Sequence, residues 1–162
     1  MEEYHMRKAM LLLGVFGLAG TIWAQDPSLG TWKLNLAKSK MPASETANVK
    51  ESIIEMRELD ANTYESVSTV TRKDGSTQVT KWTVPKAGGI QTYQQGGPAN
   101  EMSIVAAKID PHTIYNIYLR NGIQVFLMQM KISKDGKTFT GTAKTTDPQG
   151  KPVDYLVIYD RQ

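Results

Sequence analysis

The chain has 162 residues, of which 40% are hydrophobic and 22% charged, and its 19 Lys and Arg against 16 Asp and Glu give a net charge of +3. It contains no cysteine, which excludes disulfide bonds and lipid attachment through a cysteine thiol. Charges of both signs are mixed along the chain, so we expect a solvated surface and no nucleic-acid partner.

The N-terminal segment has the features of an export signal. Arg7 and Lys8 precede an apolar stretch, and the small residue Ala24 follows it. This order predicts a cleavable signal peptide over residues 1–24 and a mature domain over residues 25–162. Because the apolar stretch is shorter than the roughly 20 residues that a membrane-spanning helix needs, we expect no membrane anchor after cleavage. The predicted location is therefore secreted or periplasmic.

Turn residues recur along the mature domain at intervals of roughly 9–14 residues, a spacing typical of antiparallel hairpins. The residue pairs that supply the positive φ angles of tight turns are Asp74-Gly75, Gly88-Gly89, Gly96-Gly97, Asn121-Gly122 and Asp135-Gly136. The segments between them are rich in Thr, Val, Ile and Tyr, as strands prefer. The one candidate helix, Val49 to Leu59, has neighbours that favour a strand instead.

Alternation of apolar and polar residues predicts which side chains point inward. The predicted inward sets are Trp32, Leu34 and Leu36; Trp82 and Val84; Tyr115, Ile117 and Leu119; Phe126, Met128, Met130 and Ile132; and Val153, Tyr155, Val157 and Tyr159. The third set follows from placing Arg120 on the outside. Between Thr63 and Lys73 the phase is ambiguous, because Glu65 and Arg72 have opposite parity. Either a β-bulge shifts the phase there or one charge faces the interior.

A long succession of hairpins leaves exposed strand edges unless the sheet closes on itself. We therefore predict an all-β fold, an antiparallel up-and-down β-barrel of 8–10 strands. The competing fold, an open sandwich, needs longer crossing connections than the single one found here, from Ala37 to Asn48. A barrel of this size either fills its interior with side chains or holds one small ligand.

Two stretches resemble the calycin superfamily of lipocalins and fatty-acid-binding proteins. The segment Gly30-Thr31-Trp32-Lys33-Leu34 is similar to the superfamily's first strand, and the ending Ile158-Tyr159-Asp160-Arg161-Gln162 is similar to the last strand of the fatty-acid-binding branch. The first stretch, extended to Lys40, together with Ser133 to Thr138, also resembles uncharacterised exported lipocalin-like proteins of soil bacteria. The resemblance implies a lipocalin-like barrel with a structural motif of Gly30, Trp32 and Arg161, in which the Arg lies over the Trp at the barrel floor.

The chain also departs from the fatty-acid-binding branch. Val157 stands two residues before Tyr159, where that branch has an Arg that grips a carboxylate. The connection from Ala37 to Asn48 is too short for that branch's two lid helices and is interrupted by Pro42. The resemblance therefore implies no carboxylate clamp.

The predicted function is an exported binding protein, a carrier or scavenger for a small hydrophobic molecule. Flexible Met side chains and aromatic rings can line an apolar site of modest size. The candidate ligand-binding residues are Trp82, Tyr115, Phe126, Met128, Met130 and Tyr155. The alternative is a cell-envelope interaction or structural barrel with a filled core and no ligand. For the carrier we expect a monomer.

Catalytic and metal centres are not expected. The predicted mature domain has a single His, His112, which follows Pro111 in a turn. One His without cysteine cannot complete a typical structural zinc site, and no Ser lies in a nucleophile-elbow motif that could be paired with it. Glu51, Glu55 and Glu58 lie among other charged residues, as on an ordinary solvated face. We predict no enzyme activity, no cofactor and no metal.

Overall fold

Ten antiparallel strands close into a barrel in the computed structural model, which describes residues 26–96, 102–146 and 151–162. In chain order the elements are β1 (Gly30–Leu34), α1 (Ala43–Thr46), β2 (Val49–Glu58), β3 (Thr63–Arg72), β4 (Thr77–Pro85), β5 (Gly89–Gln95), β6 (Met102–Asp110), β7 (Thr113–Arg120), β8 (Ile123–Ile132), β9 (Thr138–Thr146) and β10 (Pro152–Arg161). Each strand pairs with the next, and β1 pairs with β10. This confirms the predicted up-and-down barrel. The predicted signal peptide, residues 1–24, lies outside the described residues.

Local sequence accounts for the connections. Asn121 and Gly122 have φ angles of 52° and 77°, and two consecutive positive values are what a type I′ hairpin turn requires. The strand predicted from Val49 is found as β2. The long first connection contains the short helix α1, which starts directly after Pro42. Among the described residues, no helix combines the length and the apolar character that crossing a bilayer demands.

The two ends of the chain meet at the barrel floor, the end where β1 begins and β10 finishes. Trp32 is 1% exposed, and its indole Nε1 donates a hydrogen bond to the Ser28 carbonyl at 2.8 Å. Arg161 is its partner across the strand pair, with Cζ 4.2 Å from the centroid of the Trp32 ring. The Arg161 guanidinium also donates to the carbonyls of Leu29, Pro27 and Gly136 at 2.5–2.6 Å. The side-chain arrangement is the one that the resemblance implies.

Gly30 makes the approach of Arg161 to the floor possible. A Cβ at this position would lie 2.5 Å from Arg161 Nη1, and φ is +121°. Both the space and the backbone conformation therefore require glycine.

Most predicted inward positions are found on the inner face. Met128, Met130, Ile132 and Val157 are buried, and Met128, Met130 and Val157 form a core cluster against which further apolar side chains pack. Gly141 lies directly beneath this cluster, since a Cβ there would be 2.6 Å from Val157 Cγ2 and 2.9 Å from Met130 Sδ. Leu36 does not belong to the inner set, because β1 ends at Leu34 and Leu36 is 36% exposed.

The phase predicted for β7 is wrong. Ile114, Asn116 and Tyr118 line the interior, so Tyr115, Ile117 and Leu119 lie on the outer face. Arg120 has the same parity as the inward residues, but it is the last residue of the strand and is exposed at the barrel rim. A charge at a rim reaches water from either face, so it does not report the phase of its strand.

The position of a charge at the strand end also explains β3, for which the sequence pattern does not show which face points inward. Its pairing with β4 runs from Thr63 to Thr71 without a register shift. Glu65 lies on the outer face, where its buried carboxylate forms ion pairs with Arg57 and Lys81. Arg72 has inward parity, but it ends the strand and donates to Gln78 in an exposed position. The charge with interior parity therefore lies at the rim and not in the core.

Candidate ligand-binding site

The barrel encloses a cavity of about 240 Å³. Much of its lining is apolar, with Ile104, Ile114, Met128, Met130, Phe139 and Val157, and aromatic rings are contributed by Trp82, Tyr118, Tyr155 and Tyr159. Polar side chains from three strands also contribute, namely Ser66, Gln91 and Asn116. The end opposite the floor is covered in part by α1, where Tyr155 Oη donates to Glu45 Oε2 at 2.8 Å.

The cavity brings together four of the six predicted ligand-binding residues, Trp82, Met128, Met130 and Tyr155. Phe126 lies on the same inner face and packs between Tyr118 and Tyr155, with ring centroids 5.3 and 5.9 Å away, but it does not line the cavity.

Tyr115 is placed wrongly by the sequence prediction. It lies on the outer wall in a groove with Leu127 and Leu156, and its hydroxyl accepts a hydrogen bond from Gln129 at 2.5 Å. The outward phase of β7 is the cause, and the same phase brings Tyr118 and Asn116 into the cavity instead.

The polar part of the lining was missed by the sequence prediction. Ser66 lies on β3, where the sequence pattern does not show which face points inward. Gln91 lies on β5, where a run of Gln and Thr gives no alternation of apolar and polar residues. Gln91 is 7% exposed, and its Nε2 donates to Asn116 Oδ1 at 3.1 Å. Ser66 is fully buried, and its hydroxyl has no hydrogen-bond partner among the described residues. A buried unpartnered hydroxyl is destabilising.

The lining is electrically neutral near pH 7. No Asp, Glu, Lys, Arg or His is among the described residues that line the cavity. Burial raises the pKa of Tyr118 to about 12, with smaller contributions from Tyr93 and Tyr159. Burial also raises the pKa of Tyr159, and burial together with the Glu45 carboxylate raises that of Tyr155. These hydroxyls stay protonated and are available as neutral donors and acceptors.

A second, wider groove lies outside the floor, with a volume of about 1,140 Å³. It contains His112, whose ring is half-buried in the turn between β6 and β7. Its charged groups Asp26 and Lys108 pair with each other at 2.7 Å. Among the described residues, no group of three or more His, Cys, Asp or Glu side chains could hold a metal ion.

Asp26 anchors the segment that precedes β1. Its carboxylate accepts hydrogen bonds from the Ser28 backbone N–H and hydroxyl, from Tyr64 Oη and from Lys108 Nζ, at 2.5–2.9 Å. Burial alone would raise the pKa of Asp26, but the hydrogen bonds from Lys108, Ser28 and Tyr64 outweigh it and lower the pKa to about 2. The network therefore stabilises the carboxylate form.

Acid is expected to weaken this anchor. The folded-state pKa of Asp26 lies below its unfolded value, so the stabilisation is present above about pH 4 and is lost as the pH falls towards 2. We expect Asp26→Asn to lower the free energy of unfolding by about 1–2 kcal/mol at pH 7 and by close to nothing near pH 2. Urea unfolding of both proteins across this range measures the difference. A difference that stays constant down to pH 2 would contradict the assignment.

A variant of the fluorescent protein UnaG superposes with a TM-score of 0.56 at 12% identity, over 85% of this chain and 97% of that one. Wild-type UnaG gives a TM-score of 0.55 at 11% identity, over 83% and 97%. The fold is a calycin-like β-barrel. The siderocalin Ex-FABP gives a TM-score of 0.36 at 12% identity, over 85% of this chain and 75% of that one.

At these identities the likeness of the calycin-like barrel to UnaG concerns the fold alone. Comparison of the sequence with protein-family models and with curated proteins gives no match.

Proposed function

We propose that the calycin-like barrel binds a small hydrophobic molecule in its internal cavity and acts as a carrier or scavenger. The observation that carries the proposal is the cavity of about 240 Å³ with a mainly apolar and aromatic lining. Ligand sites of proteins have this character, a hydrophobic lining with a few placed polar groups, although most have about 300–1,000 Å³.

The cavity volume limits the size of the ligand. It is smaller than the roughly 300–1,000 Å³ of most ligand pockets, so we expect a compact molecule to fit better than a long lipid chain. Met128 and Met130 both line the cavity and lie close to Gly141, and their unbranched thioethers can adjust to ligands of different shape. We therefore expect binding of compact hydrophobes with modest selectivity for shape.

Trp82 provides a direct test, because it lines the cavity. Titration of the full chain with propylbenzene should change the tryptophan emission and saturate at one molecule per chain. Isothermal titration calorimetry should give the same stoichiometry. In Trp82→Phe the emission change should disappear while the calorimetric binding remains. Of the other two tryptophans, Trp32 at the floor is covered by Arg161 and Phe139, and Trp23 belongs to the predicted signal peptide.

The proposal fails if wild-type protein gives neither saturable heat nor a saturable emission change. Native mass spectra supply an independent readout. Protein extracted without detergent should carry a stoichiometric bound molecule, and its repeated absence together with absent propylbenzene binding would count against a carrier.

A second candidate function is supported by the outer wall. On β8, Ile123, Val125 and Leu127 are 71%, 48% and 39% exposed, and the described pairing of β8 with β9 covers only Gln129–Ile132. An exposed apolar patch on the outer wall is typical of a surface that contacts another protein chain. This favours the cell-envelope interaction barrel. If this surface binds a second copy of the chain, wild-type protein should be dimeric in light scattering and Leu127→Lys monomeric, with propylbenzene binding unchanged. A monomeric wild-type protein would count against this surface.

We also propose that the barrel acts after export and without catalytic turnover. The basic and apolar composition of residues 1–24 supports export. N-terminal sequencing of protein recovered outside the cytoplasm should begin at Gln25. An intact segment 1–24 on that protein would contradict cleavage.

A further inference from the structure

We infer that Ser66, Gln91 and Asn116 form a polar subsite that selects a neutral ligand with one hydrogen-bonding oxygen, such as an alcohol or a ketone. This inference rests on the proposed function and names the class of its ligand. The subsite should favour such molecules over hydrocarbons, which have no oxygen, and over carboxylates, which are charged.

The first observation is the Ser66 hydroxyl. It lines the cavity from the inner face of β3, it is 0% exposed, and among the described residues it has no hydrogen-bond partner. A hydroxyl can donate one hydrogen bond and accept two, and nearly all buried polar groups in folded proteins have a partner. A ligand oxygen in the cavity would supply the missing partner.

The second observation is the amide pair. Gln91 and Asn116 come from β5 and β7 and are joined by one hydrogen bond of 3.1 Å inside the same cavity. Each side-chain amide carries two N–H donors and a carbonyl acceptor, so one bond between them leaves donors and acceptors for a third group. Ser66 and the amide pair line the same cavity of about 240 Å³, so we expect one ligand oxygen to be within reach of both.

The absence of charge decides the class of the ligand. No cationic side chain is among the described residues of the lining. A carboxylate placed there would lose its hydration without a counter-ion, which is strongly unfavourable. A neutral oxygen loses much less hydration free energy, and it can form hydrogen bonds with the polar subsite in place of those with water. Met128, Met130 and Val157, which also line the cavity, contact the apolar remainder of the ligand.

The test uses three probes that differ in one group: 2-phenylethanol, its methyl isostere propylbenzene, and the anion phenylacetate. Calorimetry on the full chain should give 2-phenylethanol the highest affinity, about tenfold above propylbenzene, as expected for hydrogen bonds made in a dry site. Phenylacetate should give no saturable binding at pH 7.

Ser66→Ala tests the subsite directly. It should weaken 2-phenylethanol binding by about fivefold to tenfold and leave propylbenzene unchanged. The same variant without ligand should melt at a higher temperature, because it removes an unpartnered buried hydroxyl. The control is Ser68→Ala, two residues along the same face of β3, which should change neither affinity. Ser66→Cys, which keeps a weak donor, gives a second variant with an intermediate effect.

The outcomes separate the two claims. Equal affinity of wild-type protein for 2-phenylethanol and propylbenzene, an unchanged preference in Ser66→Ala, or saturable binding of phenylacetate would overturn the polar subsite and leave the binding function standing. If neither neutral probe binds, the proposed function fails and the subsite with it.

Discussion

Replacing Trp32 by Ala is expected to lower the free energy of unfolding by about 3–5 kcal/mol, the range found when large aromatic side chains are removed from cores. The indole is 1% exposed and lies between the Arg161 guanidinium and the ring of Phe139, whose centroid is 5.5 Å away. Its loss leaves a void at the floor and removes the hydrogen bond to Ser28. Urea denaturation followed by far-UV circular dichroism measures the change.

Removal of the Arg161 side chain should also lower the free energy of unfolding, for a different reason. Its cation–π contact with Trp32 contributes about 0.5–2 kcal/mol, and its three hydrogen bonds join segment 26–29 and the Gly136 turn to β10. In Arg161→Met the three carbonyls lose this donor while the packing volume is largely kept. We expect a smaller loss than in Trp32→Ala.

The matched control for Arg161→Met is Arg72→Met, which removes an exposed guanidinium that donates to Gln78 at the rim. Its effect should stay within about 0.5 kcal/mol. A loss below about 1 kcal/mol in Trp32→Ala would show that the floor does not hold the barrel together.

Ala106→Phe is expected to abolish binding of propylbenzene. Ala106 is 4% exposed and lines the cavity from β6, so a phenyl ring at this position occupies the space that the ligand needs. We expect affinity to fall at least 30-fold, which corresponds to about 2 kcal/mol. The cost to stability should be at most about 1–3 kcal/mol, because the new ring enters existing space.

The neighbouring residue provides the control for this variant. Ala107 pairs with Tyr115 and lies on the outer face of the same strand, so Ala107→Phe adds the same ring outside the barrel and should leave binding unchanged. Calorimetry on both variants, with circular dichroism to confirm the fold, measures the contrast. Equal binding by Ala106→Phe and wild-type protein would place the ligand elsewhere, and equal loss in both variants would point to a general effect on folding.

Sequence patterns predicted the inner face well where the alternation was clean. Met128, Met130, Tyr155 and Trp82 line the cavity as expected. The prediction failed on β7, where apolar residues occupy both faces and the one charge, Arg120, lies at the strand end. In such a segment the alternation of apolar and polar residues does not show which face points inward. A charge at the strand end does not show it either, because it reaches water from both faces.

The polar residues of the cavity could not be predicted for a related reason. Ser66 and Gln91 are polar side chains on strands with other polar residues, which is also the pattern of a solvated face. Their burial depends on the closure of the barrel around them. The strand pairing does show that Ser66 faces inward. Ser66 is the cross-strand partner of Trp82, and directly opposed residues share one face of the sheet.

The sequence by itself determined the fold class, the order of the strands and the structural floor, because turn residues, alternation and the terminal motif act over short distances along the chain. Tertiary structure alone decided whether the interior is filled or open. That depends on how side chains from nine strands, β2 to β10, share one enclosed volume of about 240 Å³. Such a volume is a small difference between large packed volumes, and no local sequence pattern records it.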